Sequence, residues 1–278
     1  MSFTVGLDHG VDVANPWFVG VPLAFITLVA LFRALGLWSQ QSTKPGKHPE
    51  KNSRLSDMVA YMIVSGTICT YVGVYGTIAF WRLNGNEVRA QLEVDEHSAF
   101  YGRSEYVENY LIYPMLGYQF WNTVLCFIMN DLKDPAMVGH HVFTGTLAYF
   151  GLYPYLHLKG LFFFGFAEMT NTVLTIYDLF KMFPEQKKKY TFLFNLAQYG
   201  FGISFIVIRL GMWPLISYEF WKGSISLLQT GKAHSSLVVI TFLVANIFLT
   251  GLQFLWGSKI FGMLLKKKKS NEEPKKQD

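Results

Sequence analysis

The stretch MVGHHVFTGTLAYFGLYPYL, residues 137–156, decides the fold. It is a largely apolar run of the length that crosses a bilayer as a helix, yet two adjacent histidines, His140 and His141, lie near its start. The next apolar run contains Glu168, 27 residues after His141. An ionisable group inside a bilayer costs about 2.5–3.5 kcal/mol on insertion scales, so such groups usually face a protein interior. The stretch therefore predicts several membrane spans around a polar site.

Composition points to the same class of protein. Of the 278 residues, 51% are hydrophobic and 15% charged, whereas a soluble domain carries about 25% charged residues. The apolar residues form runs of about 20, each long enough to cross a hydrocarbon core of about 30 Å as a helix. Only helices or closed barrels satisfy the backbone inside a bilayer, and these runs lack the alternation of barrel strands. The predicted fold is an all-α, polytopic helical membrane bundle.

The apolar runs predict about seven transmembrane helices. They lie at about residues 16–38, 57–81, 110–129, 137–156, 160–180, 190–213 and 236–263. The stretch 214–235 is the weakest candidate, and we expect a loop or a helix at the membrane interface there. The chain divides into an N-terminal segment with the first helix (1–39), a membrane domain (40–265) and a basic tail (266–278).

Lys and Arg residues predict the orientation of these helices. The loops 40–56, 130–136 and 181–189 and the segment from Lys259 onward carry 16 of the 24 Lys and Arg residues, and the N-terminus and the opposite loops carry 6. Cytosolic loops are enriched in Lys and Arg. The first set and the C-terminus are therefore expected in the cytosol, and the N-terminus in a lumen.

The C-terminal tail adds an expectation about location. Its last residues, Lys275-Lys276-Gln277-Asp278, place lysines three and four from the end, as in dilysine retrieval signals of the endoplasmic reticulum (ER). This pattern predicts an ER membrane protein whose tail is read by coat proteins. The alternative is a solvated charged tail that no protein reads.

Polar side chains recur at helical spacing inside several predicted spans. Residues three, four or seven apart share one face of a helix. The fifth span carries a polar stripe: Glu168, Asn171, Thr175 and Asp178. Other spans contribute His140, His141, Thr144, Asn122 and Arg209. We expect these side chains to line one interior site.

Depth along the helices predicts two pairs of side chains. With a rise of 1.5 Å per residue, His140, His141 and Asp178 lie near the cytosolic ends of their helices, where a carboxylate would fix the imidazole tautomer and raise its basicity. Glu168 and Arg209 lie in the lumenal half, where a buried arginine needs an acidic partner. The alternatives are imidazoles that only meet headgroups and water, and a pair that is only structural. Neither cysteine has metal-ligand spacing, so no metal site is expected.

Four short motifs resemble the TLC domain family. They are Asp131 at the end of a span, GHHVFT at 139–144, FAEMTN at 166–171 and FIVIR at 205–209. With the first two spans and the last one, the resemblance covers about residues 40–265, so the membrane domain is expected to be TLC-like.

This resemblance implies a lipid-related role in the ER membrane. In ceramide synthases of the family, the histidine pair and following aspartates join an acyl chain from acyl-CoA to a sphingoid amine. Their pattern has a His-Asp pair and another Asp three residues later, where this chain has Ala167-Glu168 and Asn171; it also lacks their homeobox-like insertion. The chain is more similar to TLC-domain proteins that are not ceramide synthases and are tied to membrane lipid composition and homeostasis.

The leading hypothesis is a protein that binds membrane lipids or fatty acyl chains and acts in lipid composition or homeostasis. The alternative is an acyltransferase with acyl-CoA as co-substrate, in which His140, His141 and Asp178 are catalytic: His141 deprotonates an amine or hydroxyl and Asp178 orients the ring. An ER cargo or translocation accessory protein is a further alternative. No cofactor and no nucleic-acid partner are expected. The expected binding residues are Glu168, Asn171, Thr175, Arg209, Asp131, Thr144 and Asn122.

Overall fold

The computed structural model describes residues 14–35, 49–81, 100–153 and 155–272. Within these ranges the chain is helical and contains no strand, which confirms the predicted all-α class. The main helices are α1 Pro16–Ala34, α2 Pro49–Trp81, α3 Tyr113–Ile128, α4 Pro135–Gly151, α5 Met169–Met182, α6 Thr191–Ser204, α7 Trp213–Gln229 and α8 Ser236–Glu272.

Shorter helical pieces extend or join these helices. They are Glu105–Val107, Asn130–Leu132, His157–Gly160, Phe166–Glu168 and Pro184–Lys189, with π-helical segments at Glu108–Ile112, Leu161–Gly165 and Phe205–Met212. The pieces from His157 to Glu168 run directly into α5. Because π-helical turns are rare and often occur at functional sites, the segment before Glu168 and the segment that contains Arg209 are candidates for functional parts of the chain.

Local sequence signals explain where two of the helices begin. The Asn15 side chain accepts a 3.2 Å hydrogen bond from the Trp17 backbone N–H, and Pro16 occupies the first turn of α1, where a missing N–H loses no partner. Asp134 caps α4 in the same way, since its carboxylate accepts from the Ala136 N–H at 2.7 Å. Both helices thus begin close to the starts of the predicted spans.

In the described part of the chain, four helical stretches are long and apolar enough to cross a membrane. They are Pro16–Ala34, Arg54–Trp81, Thr191–Gln229 and Ser236–Gly262. The other predicted spans correspond to shorter or segmented helical stretches, among them α3, α4 and α5. The chain is a polytopic helical membrane protein.

For the stretch 214–235 a loop or a helix at the membrane interface was expected, and the structure shows a helix over most of it. Its first part is helical, because Thr191–Gln229 forms one 39-residue helical run in which a π-helical segment joins α6 to α7. Pro214 is tolerated since it directly follows this segment, where the Trp213 N–H bonds to the Ile208 carbonyl five residues back rather than four. From the sequence alone, Pro214 is expected to interrupt the helix.

The chain forms two compact units, Met1–Gln198 and Tyr199–Asp278. In the first unit α2 packs closely against α5 through glycine: a Cβ added at Gly66 would lie 2.6 Å from Thr175 Cγ2. Small residues allow such an approach between membrane helices. The predicted division into residues 1–39, 40–265 and 266–278 stays a prediction.

In the second unit two tryptophan side chains form hydrogen bonds between α7 and α8. Trp213 Nε1 donates to Thr250 Oγ1 at 3.0 Å, and Trp221 Nε1 donates to Asn246 Oδ1 at 2.9 Å. Inside a bilayer such interhelical hydrogen bonds hold helices together where the hydrophobic effect does not.

Candidate functional site

His141 and Gln119 form the central polar contact of the first unit. His141 lies on α4 and is 3% exposed, Gln119 lies on α3 and is 2% exposed, and 2.6 Å separates His141 Nδ1 from Gln119 Oε1. The Gln119 amide nitrogen donates to Met115 Sδ at 3.1 Å, which leaves its oxygen facing the imidazole. An amide oxygen can only accept, so Nδ1 carries the proton and Nε2 keeps its lone pair.

Glycine on α4 makes room for this contact. A Cβ added at Gly145, one turn after His141, would lie 3.3 Å from Gln119 Cβ. The absence of a side chain at Gly145 therefore brings the two helices close enough for a short hydrogen bond.

Several buried polar atoms of α3 and α4 have no hydrogen-bond partner within the described ranges. They include His141 Nε2, Thr144 Oγ1 and both amide atoms of Asn122; the Asn122 amide lies near the Tyr118 hydroxyl without hydrogen-bond geometry. An unsatisfied buried polar group costs about 1–3 kcal/mol. The arrangement offers an acceptor at His141 and both donors and acceptors at Asn122 and Thr144, which suits a polar guest.

Helix α2 closes the other side of α3 with further polar groups. The Tyr118 hydroxyl makes a short hydrogen bond with the Ser65 hydroxyl, and Cys69 Sγ donates to it at 3.6 Å. Tyr118 and Gln119 are adjacent in sequence and therefore point in different directions from α3. One turn of α3 thus contacts polar groups on both α2 and α4.

The predicted stripe on the fifth span is partly assembled. Glu168 is 4% exposed and its Oε2 accepts from Asn171 Nδ2 at 2.6 Å, while Thr175 Oγ1 donates to the Asn171 carbonyl at 2.9 Å. Glu168 also lies within electrostatic range of His141. The structure therefore brings Glu168, Asn171 and His141 into one neighbourhood.

The two aspartates of the predicted site make ion pairs with basic residues. Asp178 accepts from Lys181 Nζ at 2.8 Å, and Asp131 accepts from Arg54 at 2.8 Å. The ring of His141 is oriented by Gln119, and its pairing with Asp178 stays a prediction. In the described part of the chain no three His, Cys, Asp or Glu side chains gather as metal ligands would.

Arg209 belongs to the second unit. It is 3% exposed, lies on the π-helical segment Phe205–Met212, and places its guanidinium 5.4 Å from the centre of the Trp213 ring, within cation–π range. Its pairing with Glu168 stays a prediction.

The sequence reasoning missed Gln119 and His157. Gln119 had a detectable signal, since it is a polar residue inside an apolar span and lies three residues before Asn122. His157 had none, because its partners, the Ser104 N–H and the Gly151 carbonyl, are backbone groups that only the fold brings to it.

We expect Gln119→Leu to lower the free energy of unfolding by about 1–3 kcal/mol, because the buried His141 Nδ1–H loses its acceptor. In the double variant Gln119→Leu/His141→Phe both partners are apolar, and most of the loss should be recovered. Unfolding in SDS from mixed micelles, followed by circular dichroism, measures the four corners of this cycle. Additive losses in the double variant would contradict the hydrogen bond.

The comparisons with known proteins agree with this picture. The family model described as the TLC domain matches residues 57–262, most of the chain. The match contains Gln119 on α3, His141 on α4 and Glu168 directly before α5. No curated protein and no solved structure matches the chain. The chain is a helical membrane protein whose buried polar site lies inside this match, and it belongs to the TLC domain family.

Proposed function

We propose that the protein binds a membrane lipid through the interior of its TLC domain and acts in membrane lipid composition or homeostasis. The observation that carries this proposal is the group of buried, unpaired polar atoms at His141 Nε2, Asn122 and Thr144. A lipid headgroup with a hydroxyl or an amide would donate to His141 and pair with the other two residues. The apolar side chains of the bundle would hold its chains.

Within the family, we place the protein among those that are not ceramide synthases. The support comes from Ala167-Glu168 and Asn171, which stand where the synthase pattern has a His-Asp pair and a second aspartate. Glu168 and Asn171 are also hydrogen-bonded to each other at 2.6 Å.

An acyl-CoA-dependent acyltransferase is the second candidate function. It is favoured by the tautomer of His141, because a buried imidazole with its Nε2 lone pair available can remove a proton from a hydroxyl or amine. Under this hypothesis Gln119 orients the ring, through the 2.6 Å contact of its Oε1 with His141 Nδ1. Asp178, which pairs with Lys181, would then not be the residue that orients the imidazole of His141.

We further propose the ER membrane as the location, with the N-terminus in the lumen and the C-terminus in the cytosol. The support is the distribution of Lys and Arg between the loops and the dilysine pattern at Lys275-Lys276, which lies outside the described residues. Coat proteins that read this pattern are the proposed partners.

The test is lipidomics of cells that express the wild type or His141→Ala at matched protein levels and location. The matched control is Val142→Ala, since Val142 is the next residue on α4 and is 43% exposed. We expect the wild type and Val142→Ala to shift the same lipid class, and His141→Ala to leave it unchanged.

The double variant Gln119→Leu/His141→Phe separates chemistry from stability. It removes the imidazole while leaving no donor or acceptor of that pair unsatisfied, so it should fold yet lose the lipid effect. An unchanged lipid effect in the double variant would contradict a role for His141. Turnover of acyl-CoA by purified wild-type protein, absent in this variant, would favour the acyltransferase.

A further inference from the structure

A groove of about 510 Å³ runs between α2 and α5, away from the His141–Gln119 contact. Within the described ranges its lining comes from these two helices and runs from Met62 to Tyr71 on α2 and from Thr172 to Leu179 on α5. Ile63, Thr67 and Ile176 are exposed, so the groove opens to the outside of the first unit. Because it lies within the membrane-crossing stretch Arg54–Trp81, its opening faces hydrocarbon.

The four threonines do not make the groove polar. The hydroxyls of Thr67 and Thr70 donate to the carbonyls of Ile63 and Gly66 on their own helix, at 2.7 and 2.6 Å. Thr175 likewise donates to a carbonyl of α5. The remaining hydroxyl, on Thr172, lies 3.1 Å from that of Thr70. Because every hydroxyl is already in a hydrogen bond, the wall presents methyl and methylene groups and suits an apolar guest.

Two contacts set the distance between α2 and α5 along the groove. At Gly66 the two helices are so close that an added Cβ would lie 2.6 Å from Thr175 Cγ2, and the hydroxyl contact between Thr70 and Thr172 joins them again one turn further on. Helices held at two successive turns cannot approach further to close the gap. The groove therefore follows from the packing of this helix pair.

Its dimensions distinguish between possible occupants. Nine residue steps from Met62 to Tyr71 span about 14 Å, close to half of the roughly 30 Å hydrocarbon core. A piece of α-helix of that length and about 10 Å diameter would fill roughly 1,000 Å³, more than the groove holds. The groove is thus too narrow to enclose a helix and has the length of a chain within one leaflet.

The ends of the groove show from where a chain enters. Leu179 at one end lies two residues before Lys181, whose ion pair with Asp178 marks the charged end of α5. Thr172, at the other end of the groove, lies near the middle of the continuous helical run from His157 to Met182. Headgroups lie at the charged end of a span, so a chain that enters there belongs to a phospholipid of that leaflet.

We propose that the groove between α2 and α5 binds one acyl chain of a membrane phospholipid. This inference rests on the proposed function in that both require lipid binding, but it concerns a different surface. The groove and the polar site share α5, since Thr175 lines the groove and donates to the Asn171 carbonyl, and Asn171 donates to Glu168.

Photo-crosslinking tests the proposal. The full chain is reconstituted in phosphatidylcholine vesicles that contain phosphatidylcholine with a diazirine midway along one acyl chain, and adducts are located by peptide mass spectrometry after irradiation. We expect more adducts on Ile63 and Ile176 than on Val74. Val74 is the internal control because it lies on α2 outside the groove and is 40% exposed, against 37% for Ile63. Equal yields at these positions overturn the proposal, whatever any variant does.

Two variants that fill the groove sharpen the result. Thr67→Phe on α2 and Ile176→Trp on α5 should each reduce the adducts on the remaining groove residues to the level at Val74, whereas Val74→Phe should not. Unchanged groove adducts in correctly folded variants contradict the proposal. Adducts on Val74 without adducts on Ile63 and Ile176 would also overturn it, since something other than lipid would then cover the groove. None of these readouts depends on His141, so this inference and the proposed function can fail separately.

Discussion

Gly76→Ala is expected to destabilise the protein severely. Gly76 on α2 faces Gly165, and a Cβ added at Gly76 would overlap Gly165 Cα and lie 2.7 Å from the Phe166 backbone nitrogen. Backbone atoms cannot rotate away as a side chain can, so the two segments must separate. Overpacking costs about 1–3 kcal/mol and more for rigid contacts, and alanine returns at most about 1 kcal/mol through helix propensity. We expect a net loss of about 2 kcal/mol or more in the free energy of unfolding.

Gly20→Ala is the matched control for this variant. Gly20 lies inside α1, and a Cβ added there would meet no atom within 4 Å. The same substitution should therefore be neutral or slightly stabilising. Thermal unfolding in detergent, followed by far-UV circular dichroism, compares the two variants. Equal midpoints for Gly76→Ala and Gly20→Ala would show that the close approach of α2 to Gly165 is absent.

The glycine contacts of α2 also bear on the candidate site. Gly73 faces Met169, and Gly76 faces Gly165, so α2 contacts the chain on both sides of Glu168. A side chain at either glycine would displace the segment that holds Glu168 within electrostatic range of His141. Gly76→Ala should therefore reduce the lipid effect of the wild type even in the protein that still folds.

Much of the fold was predictable from the sequence, because it follows from solvent and periodicity. A chain with long apolar runs has few ways to satisfy its backbone in a bilayer, and the runs themselves mark the helices. The continuation of the helix through Pro214 was not predictable. Pro214 normally ends a helix, and only the π-helical turns before it, which depend on packing, allow the helix to continue.

The sequence predicted which residues belong to the candidate site better than it predicted their hydrogen-bond partners. Helical spacing placed Glu168 beside Asn171, and the structure confirms that contact at 2.6 Å. The spacing of residues along one helix does not predict which residue of a neighbouring helix each of them contacts. The partner of His141 on α3 is Gln119, and that choice depends on the close approach at Gly145.

His157 fastens the connection between α4 and the helical stretch that leads to α5. It is 1% exposed; its Nδ1 accepts from the Ser104 N–H at 3.0 Å, and its Nε2–H donates to the Gly151 carbonyl at 2.7 Å. Beside it, Leu156 has a left-handed φ of 67° and donates its N–H to the Phe100 carbonyl at 2.7 Å. This geometry requires a neutral ring, since a proton on Nδ1 would face the Ser104 N–H.

Acid is therefore expected to weaken the protein through His157. Burial, above all, lowers the pKa of His157, although the Gly151 carbonyl and Glu108 oppose the shift and Arg103 adds to it. Above about pH 6.5 the ring is neutral both folded and unfolded, so it adds no pH dependence. As the pH falls below about 6.5, the unfolded chain takes up a proton that the folded protein does not, and stability falls by up to about 1.4 kcal/mol per pH unit until the lowered pKa is reached.

Two variants separate this titration from the hydrogen bonds. His157→Phe leaves the Ser104 N–H and the Gly151 carbonyl unpaired, so we expect a loss of about 1–3 kcal/mol for each group already at about pH 7.5. His157→Gln keeps a donor and an acceptor without a titrating ring, so it should lose less and should lack the acid dependence of His157. Unfolding midpoints from about pH 7.5 to about pH 5 measure both effects. His234→Gln, at an exposed histidine, is the control that should keep the wild-type slope; a wild-type slope in His157→Gln would assign the acid dependence to another group.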